Sequence, residues 1–515
     1  MDPIMRKFFG SYSLPFRSMI GGTLTLPSGR QIAIALLLGT IFGLMALIIE
    51  PILVLLGMIG LILLIMTFIA PEVVILVVLC LASGLVPDRF NPFVDLLVGH
   101  AQVSDLLLLW LLFVVVFRVF TDKSFAYVKS PLDLPIILLF GAVLVGLANS
   151  VARFGIEFSH ATFEVRILMY YLIFFPITNL VRTRSQLIRL GQGVLAIGLL
   201  LAVIMIAQSS MVGLTSLVDN WTVSVGEVGE VVRVFHPGFP VVYMVVIAQI
   251  SYMALNKHER RSLSRWLQVL VMGAALFVTV TRNIFVTIAF GFTLLLAIIT
   301  KSERVRLMRN VLIIAIIAAG LISLLVIFGR ASEILDYSVT FYERLKSMFS
   351  SDIFEPGDTL VYRWEEIQFA WKQISEHPIL GIGLYNPYRP LFFPDEHPFL
   401  RLYIHNTFLS LWLKTGLLGL VSFLWFSLVF INRGFREWRN VGDDFLRSLL
   451  IGFTIGYAGI MISNFVAPSM IESSSLVIFS VILGLNELII LNTNQAKSDK
   501  NMEALSAFQS MPARE

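Results

Sequence analysis

The chain has 515 residues, 57% of them apolar and 14% charged, with 38 basic and 34 acidic side chains. Soluble proteins carry about 25% charged residues, so a water-soluble fold is excluded and a membrane protein is implied. The single cysteine, Cys80, excludes a disulfide framework and a multi-cysteine metal site, and the dispersed basic residues form no stripe for nucleic acid.

Residues 1–30 hold Arg6, Lys7, Arg17 and Arg30 but no short apolar core with a small-residue cleavage site. They read as an amphipathic cytoplasmic tail rather than a signal peptide. A membrane helix needs roughly 20 apolar residues. Such runs follow at 31–49, 51–69, 71–87, 104–120, 131–150, 164–181 and 190–212, then at 238–255, 265–281, 284–300, 310–329, 402–431, 446–466 and 473–491. The predicted fold is therefore an all-α polytopic membrane protein of about 12–14 spans over 31–491. The hairpin at Glu50-Pro51 and the tight turn at Arg282 set the range. The polar segment 492–515 reads as a disordered cytoplasmic tail.

Charge gives an independent check. Alternate connections (1–30, 118–129, 182–189, 257–265, 301–309, 433–447 and 492–515) hold 25 of the 38 Lys and Arg but only 10 of the 34 acidic residues. By the positive-inside rule these segments are cytoplasmic. The long connection 330–401 then lies outside, and a loop of that length is usually functional. Within it, Leu360, Trp364, Ile367, Trp371 and Ile374 recur at helical spacing, with Asp358 placed to cap and His377-Pro378 to stop. The stripe implies a helix over 359–376 docked on the bundle or the membrane surface. Gly381-Ile382-Gly383 follows, suited to a tight turn and close backbone approach.

Four residues stand out as chemistry, all on the outer side of this topology. His405 begins the 402–431 run, where a histidine has the titration range of a general base. Arg282 interrupts a long apolar stretch, which is costly inside a membrane. Arg233 precedes the 238–255 run and Arg363 lies on the loop helix. Converging arginines suit a phosphate, because guanidinium binds its oxygens in a bidentate fashion. A cationic cluster beside a base points to a lipid-linked phosphate as substrate. The loop carboxylates Glu365, Glu366, Glu376, Asp395 and Glu396 read mainly as a solvated face, with one available to orient His405.

The ordered set Arg363-Trp364, His377-Pro378-Ile379-Leu380-Gly381-Ile382-Gly383, His405-Asn406-Thr407-Phe408-Leu409 and Thr415-Gly416-Leu417-Leu418-Gly419 resembles the signature of the O-antigen ligase superfamily, which includes O-antigen and exopolysaccharide polymerases. Thr281-Arg282 looks like its Ser/Thr-Arg motif with Asn283 in place of the usual Gly, and Arg233 looks like its arginine before a Pro-Asn step, with Gly238 in place of Asn. The resemblance covers about 230–430. It implies a GT-C-like membrane glycosyltransferase of the bacterial inner membrane, with its active site facing the periplasm. The donor would be a glycan on undecaprenyl diphosphate and the acceptor a hydroxyl of lipid A-core or of another lipid-linked glycan. No metal, nucleotide sugar or other cofactor is implied. His405 would be the base of an inverting transfer, with Arg233, Arg282 and Arg363 on the phosphates. Trp364, Trp371, Tyr385 and Asn406 would make glycan or orienting contacts, alongside Tyr388 and Trp221. Ligase and polymerase share these motifs. A polysaccharide flippase is the rival reading, although a transporter gathers its ionisable groups near the midplane of matching halves, whereas these candidates gather at one face.

Overall fold

A computed structural model describes residues 51–87, 91–96, 99–210, 222–224, 232–234, 236–256, 263–329, 331–347, 359–392 and 397–509. The readings made for 1–50 (with them the hairpin at Glu50-Pro51), Trp221, Asp358, Asp395, Glu396 and 510–515 lie outside these residues. The chain divides into two compact units, 1–66 and 67–515; of the first, the described part belongs to helix α1 (Pro51–Ile69).

The second unit is helical. Helix α2 (Pro71–Ala82) leads to a small hairpin, β1 (Phe93–Leu96) with β2 (Gly99–Gln102). Then come α3 (Val103–Thr121), α4 (Asp133–Phe154), α5 (Phe158–Leu168), a single 3₁₀ stretch, α6 (Phe174–Leu180) and α7 (Arg184–Ser210). A second hairpin pairs β3 (Thr222–Ser224) with β4 (Val232–Val234), setting Arg233 opposite Val223. Helices α8 (Phe239–Leu255), α9 (Leu263–Phe277), α10 (Arg282–Ile298) and α11 (Lys301–Ile327) follow. The 330–401 connection holds two helices, α12 (Ala331–Ser347) and α13 (Thr359–Glu376), where the sequence reading expected one. Helices α14 (Thr407–Glu437), α15 (Asp444–Ser463) and α16 (Ser473–Gln509) complete the unit.

Each apolar run from residue 51 onward is a helix. Among the described residues, 8 helices are long and apolar enough to cross a membrane, and five shorter apolar ones match the remaining runs. The chain is an all-α polytopic membrane protein. Helix α11 shows its setting plainly, since only 6% of its most apolar window is buried, against 89% for α16 at the centre. An apolar helix with so little protein around it is solvated by lipid. Inside the bundle, charges are paired as a membrane interior demands: Arg433 meets Glu487 at 2.8 Å, and Asp105 accepts from Tyr170 at 2.6 Å. Helix α15 presses Gly452 against the Ala248 backbone and Gly456 against Met244 of α8. Small residues at a crossing let helices without a hydrophobic driving force approach closely.

One expectation is replaced. The tail from Asn492 continues α16 as far as Gln509 instead of being disordered. No Gly or Pro occurs between Gly484 and Pro512, and the segment is rich in good helix formers.

Contacts also collect the basic connections at one end. Arg182 donates to the Ala126 carbonyl at 2.8 Å, Arg184 meets Asp443 at 2.5 Å, Arg306 donates to the Ala254 carbonyl at 2.8 Å, and Arg439 to the Ile298 carbonyl at 2.8 Å. The N-termini of α8, α10, α14 and α16 and the C-termini of α4 and α15 therefore gather at the opposite end. If the basic end is cytoplasmic, a thiol reagent confined to the cytoplasmic side labels Ser302→Cys in a Cys80-free background, and one confined to the other side labels Lys372→Cys. Labelling of Lys372→Cys from the cytoplasm would reverse the orientation.

Candidate active site

The site forms where α14 starts, is broken and meets α13. Asn406 caps α14: its Oδ1 accepts from Leu409 N at 3.0 Å and its Nδ2 donates to the Phe465 carbonyl at 3.2 Å. Thr407 is tied twice to Asn464, through its amide at 3.0 Å to the carbonyl and through its hydroxyl to the side-chain oxygen. The chain just after His405 is thus clamped to the end of α15. Neighbouring Ser463 receives Asn283 Nδ2 at 2.5 Å. The helix that begins at Arg282 therefore rests on the same α15 terminus that holds α14. Asn283, which stands where the family pattern has glycine, makes that joint. Just before it, Val280 is buried with φ 47°. A β-branched residue in the left-handed region is a strained outlier of the sort found at functional sites.

Helix α14 is not continuous. At Gly416 the backbone takes φ 69° and ψ −172°, a conformation essentially limited to glycine. The break frees backbone groups, and the Ile379–Gly383 turn fills them: Ile382 N donates to the Leu413 carbonyl at 2.7 Å and Leu417 N to the Ile379 carbonyl at 3.1 Å. Asn149 of α4 holds the same turn by donating to the Gly381 carbonyl at 3.0 Å. A Cβ at Gly416 would lie 2.0 Å from the Ile379 oxygen, and one at Gly381 2.2 Å from the Leu413 oxygen. The two glycine motifs are one joint. It sets the short arm 407–415, with His405 ahead of it, at an angle to the rest of α14.

Helix α13 packs on that arm. Its buried face is Glu366, Ala370 and Ile374, with Ala370 and Ile374 in a cluster with Ile382, Ile404 and Leu413. Of the stripe read in the sequence, Ile374 is buried and Ile367 half-buried, but the two tryptophans are not. Trp364 and Trp371 are 60% and 53% exposed and lie on the opposite side of the helix from Glu366. Small Ala370 permits the close approach, and the carboxylate has a partner inside, so the bulky aromatics turn outward. Trp371 meets Trp412 edge-on at 5.7 Å.

The partner is His405. Glu366 Oε2 accepts from the His405 amide at 3.2 Å and lies 2.8 Å from His405 Nδ1, with the carboxylate buried and the imidazole 35% exposed. A carboxylate at Nδ1 fixes the Nδ1–H tautomer and leaves Nε2 as the acceptor. Arg363 lies one turn before Glu366 on the same face, close enough for its charge to act on the Tyr403 phenol. Tyr403 meets the His405 ring edge-on at 4.8 Å and donates to Glu472 Oε1 at 2.5 Å. Desolvation raises the Glu472 carboxyl above its usual range, with the Tyr403 hydrogen bond and His405 opposing it. Tyr403 and Glu472 line a cavity of about 310 Å³, together with Phe163, Phe239, Leu411 and the Lys414–Glu164 pair at 2.6 Å.

Of the residues singled out in the sequence, the structure brings Arg363 and His405 together and seats Arg282 at the head of the adjoining α10. Arg233 is placed on β4 by its backbone. Asn406 has its side chain committed to the cap, so its contribution is to orient the chain beside His405. Tyr385, at φ 54°, stacks on His160 at 5.2 Å, and Tyr388 donates to the Tyr403 carbonyl at 3.0 Å. His236, in the turn before α8, is buried with its Nδ1 accepting from Gly238 N at 2.9 Å, and burial lowers it to about 4. It is no rival base. Tyr403 and Glu472 escaped the sequence reading. Glu472 carried one signal, an acidic residue at the head of an apolar run.

Residues 267–424 match the family model described as O-antigen ligase, a stretch that contains Arg282, Arg363, Glu366, His405 and Gly416 and leaves out Arg233. No curated protein matches the chain. Over residues 267–424 the chain is therefore similar to the O-antigen ligase family, the one that its ordered motifs resemble.

Proposed function

We propose that the protein transfers glycan from undecaprenyl diphosphate to an acceptor hydroxyl, on lipid A-core or on another lipid-linked glycan, at the periplasmic face of the bacterial inner membrane. The observation that carries this reading is the contact of His405 with Glu366, one helical turn from Arg363. The acceptor O–H gives its proton to His405 Nε2, and Glu366 stabilises the imidazolium that forms. The oxygen attacks the anomeric carbon as the bond to the phosphate oxygen breaks, and undecaprenyl diphosphate departs with the electron pair. Arg363 and Arg282, with Arg233, neutralise the charge that builds on the diphosphate; fixed donors aimed at developing charge are usually the largest catalytic contribution. The reaction inverts the anomeric centre and draws on the arginines rather than a metal for charge neutralisation.

The test is transfer by purified protein in detergent, given lipid-linked oligosaccharide and acceptor and no energy source. Glycosylated acceptor is the expected product. Arg363→Ala is expected to abolish most of it while remaining inserted and monodisperse, and Arg363→Lys to restore little, because lysine lacks the bidentate fork. Movement of the donor across a bilayer with no new glycosidic bond would replace this reading by a flippase.

A further inference from the structure

The 330–401 connection contains a helix with an apolar stripe left exposed. On α12, Leu335, Val339 and Tyr342 follow at spacings of four and three and share one face, and they are 62%, 37% and 64% exposed. The opposite face carries Tyr337, Thr340 and Arg344. Thr340 is 4% exposed, the other two are partly covered, and all three are engaged by partners. A helix in water does the reverse, turning its apolar stripe inward. The stripe of Leu335, Val339 and Tyr342, with Glu343 and Lys346 exposed beside it, suits a boundary between an apolar and a polar medium.

Two points tie α12 to one end of the bundle. Helix α11 ends with Ile327 and Phe328 fully outward, and α12 begins at Ala331 after a turn at Gly329. Ten residues along, Phe341 packs between Phe277, the last residue of α9, and Phe285 in the first turn of α10, both at 4.9 Å between ring centres. The ends of α9, α10 and α11 lie at the same end of the bundle. Two points about 15 Å apart along α12 are thus tied to the end of the bundle where the apolar helices stop. The helix that leads into it, α11, is itself exposed along an apolar flank that includes Leu312 and Ile316.

We propose that α12 lies in the lipid interface, with Leu335, Val339 and Tyr342 covered by acyl chains and Glu343 and Lys346 beside them reaching the headgroups. Because Phe277 and Phe285 flank Val280–Arg282, this contact also holds Arg282 at headgroup depth; that consequence rests on the phosphate reading of Arg282, whereas the insertion itself does not.

The test uses the full chain with Cys80→Ala, nitroxide-labelled at Leu335→Cys, Val339→Cys or Tyr342→Cys and reconstituted in phosphatidylethanolamine–phosphatidylglycerol vesicles. Asp122→Cys, exposed in the connection after α3, is the aqueous reference. The ratio of collisions with oxygen to collisions with a water-soluble nickel chelate, present on both sides, is expected to be several-fold higher at the α12 positions than at Asp122→Cys. Three sites of equal purpose, each checked for monodispersity, guard against one that disturbs folding. A ratio equal to the reference overturns the proposal. So does spin–spin broadening that disappears on dilution with unlabelled protein, since a second copy would then cover the face. None of these readouts needs transfer activity, so a failure of the glycosyltransferase reading leaves the result interpretable.

Discussion

His405→Gln is expected to lower turnover by about 100- to 10,000-fold, the usual contribution of general acid–base catalysis, with donor binding changed far less. The arginines, not the imidazole, hold the diphosphate in this account, so rate and affinity separate. Gln retains a side-chain amide for the Glu366 carboxylate but offers no basic nitrogen. Glu366→Gln tests the second half of the pair. Its amide can still face His405 Nδ1 at the observed 2.8 Å but no longer fixes the tautomer or stabilises the imidazolium, so turnover drops while donor affinity again holds. Measuring single-turnover rate and lipid-donor affinity side by side decides both. A histidine that only braces the backbone would leave His405→Gln near normal turnover, which would remove the base assignment.

Gly416→Ala is expected to cost the fold of the site. The φ 69°, ψ −172° backbone is worth of order 1–3 kcal/mol of strain for any residue with a side chain. The new methyl would also sit 2.0 Å from the Ile379 carbonyl oxygen, a backbone atom held in place by Leu417 N. Relief requires parting the 379–383 turn from α14, which moves His405 away from Glu366. Thermal unfolding in detergent should show a large drop in Tm together with lost transfer. Gly320→Ala is the control: it lies on the lipid-facing α11 with nothing within 4 Å of an added Cβ, and a helical Gly-to-Ala change is stabilising by up to about 1 kcal/mol. Equal behaviour of the two variants would contradict the joint described at Gly416.

The helices were legible because hydropathy and charge alternation report the membrane directly, and the contacts among Arg182, Arg184, Arg306 and Arg439 gather at one end the connections that charge had grouped. The break at Gly416 was not. The apolar run passes through it unchanged, and its partner at Gly381 lies 35 residues earlier in the chain, so the spacing of either motif says nothing of the other. The loop helix was legible as an element but not in orientation. Periodicity grouped Ile374 with Trp364 and Trp371, while packing grouped it with Glu366 and Ala370. For the same reason the sequence offered five loop carboxylates without indicating that Glu366 meets His405. The arginines show a similar limit. Arg363 and Arg282 are brought to one end by folding, but their convergence on a phosphate is chemistry that only a bound donor displays.

The most direct test of the central claim, a single displacement driven by His405, is the anomeric configuration of the newly made linkage compared with that of the donor. This is read by NMR of the transferred glycan. A deprotonated acceptor attacking opposite the departing diphosphate predicts inversion. Retention of configuration would require a covalent or double-displacement route through another residue and would contradict the account.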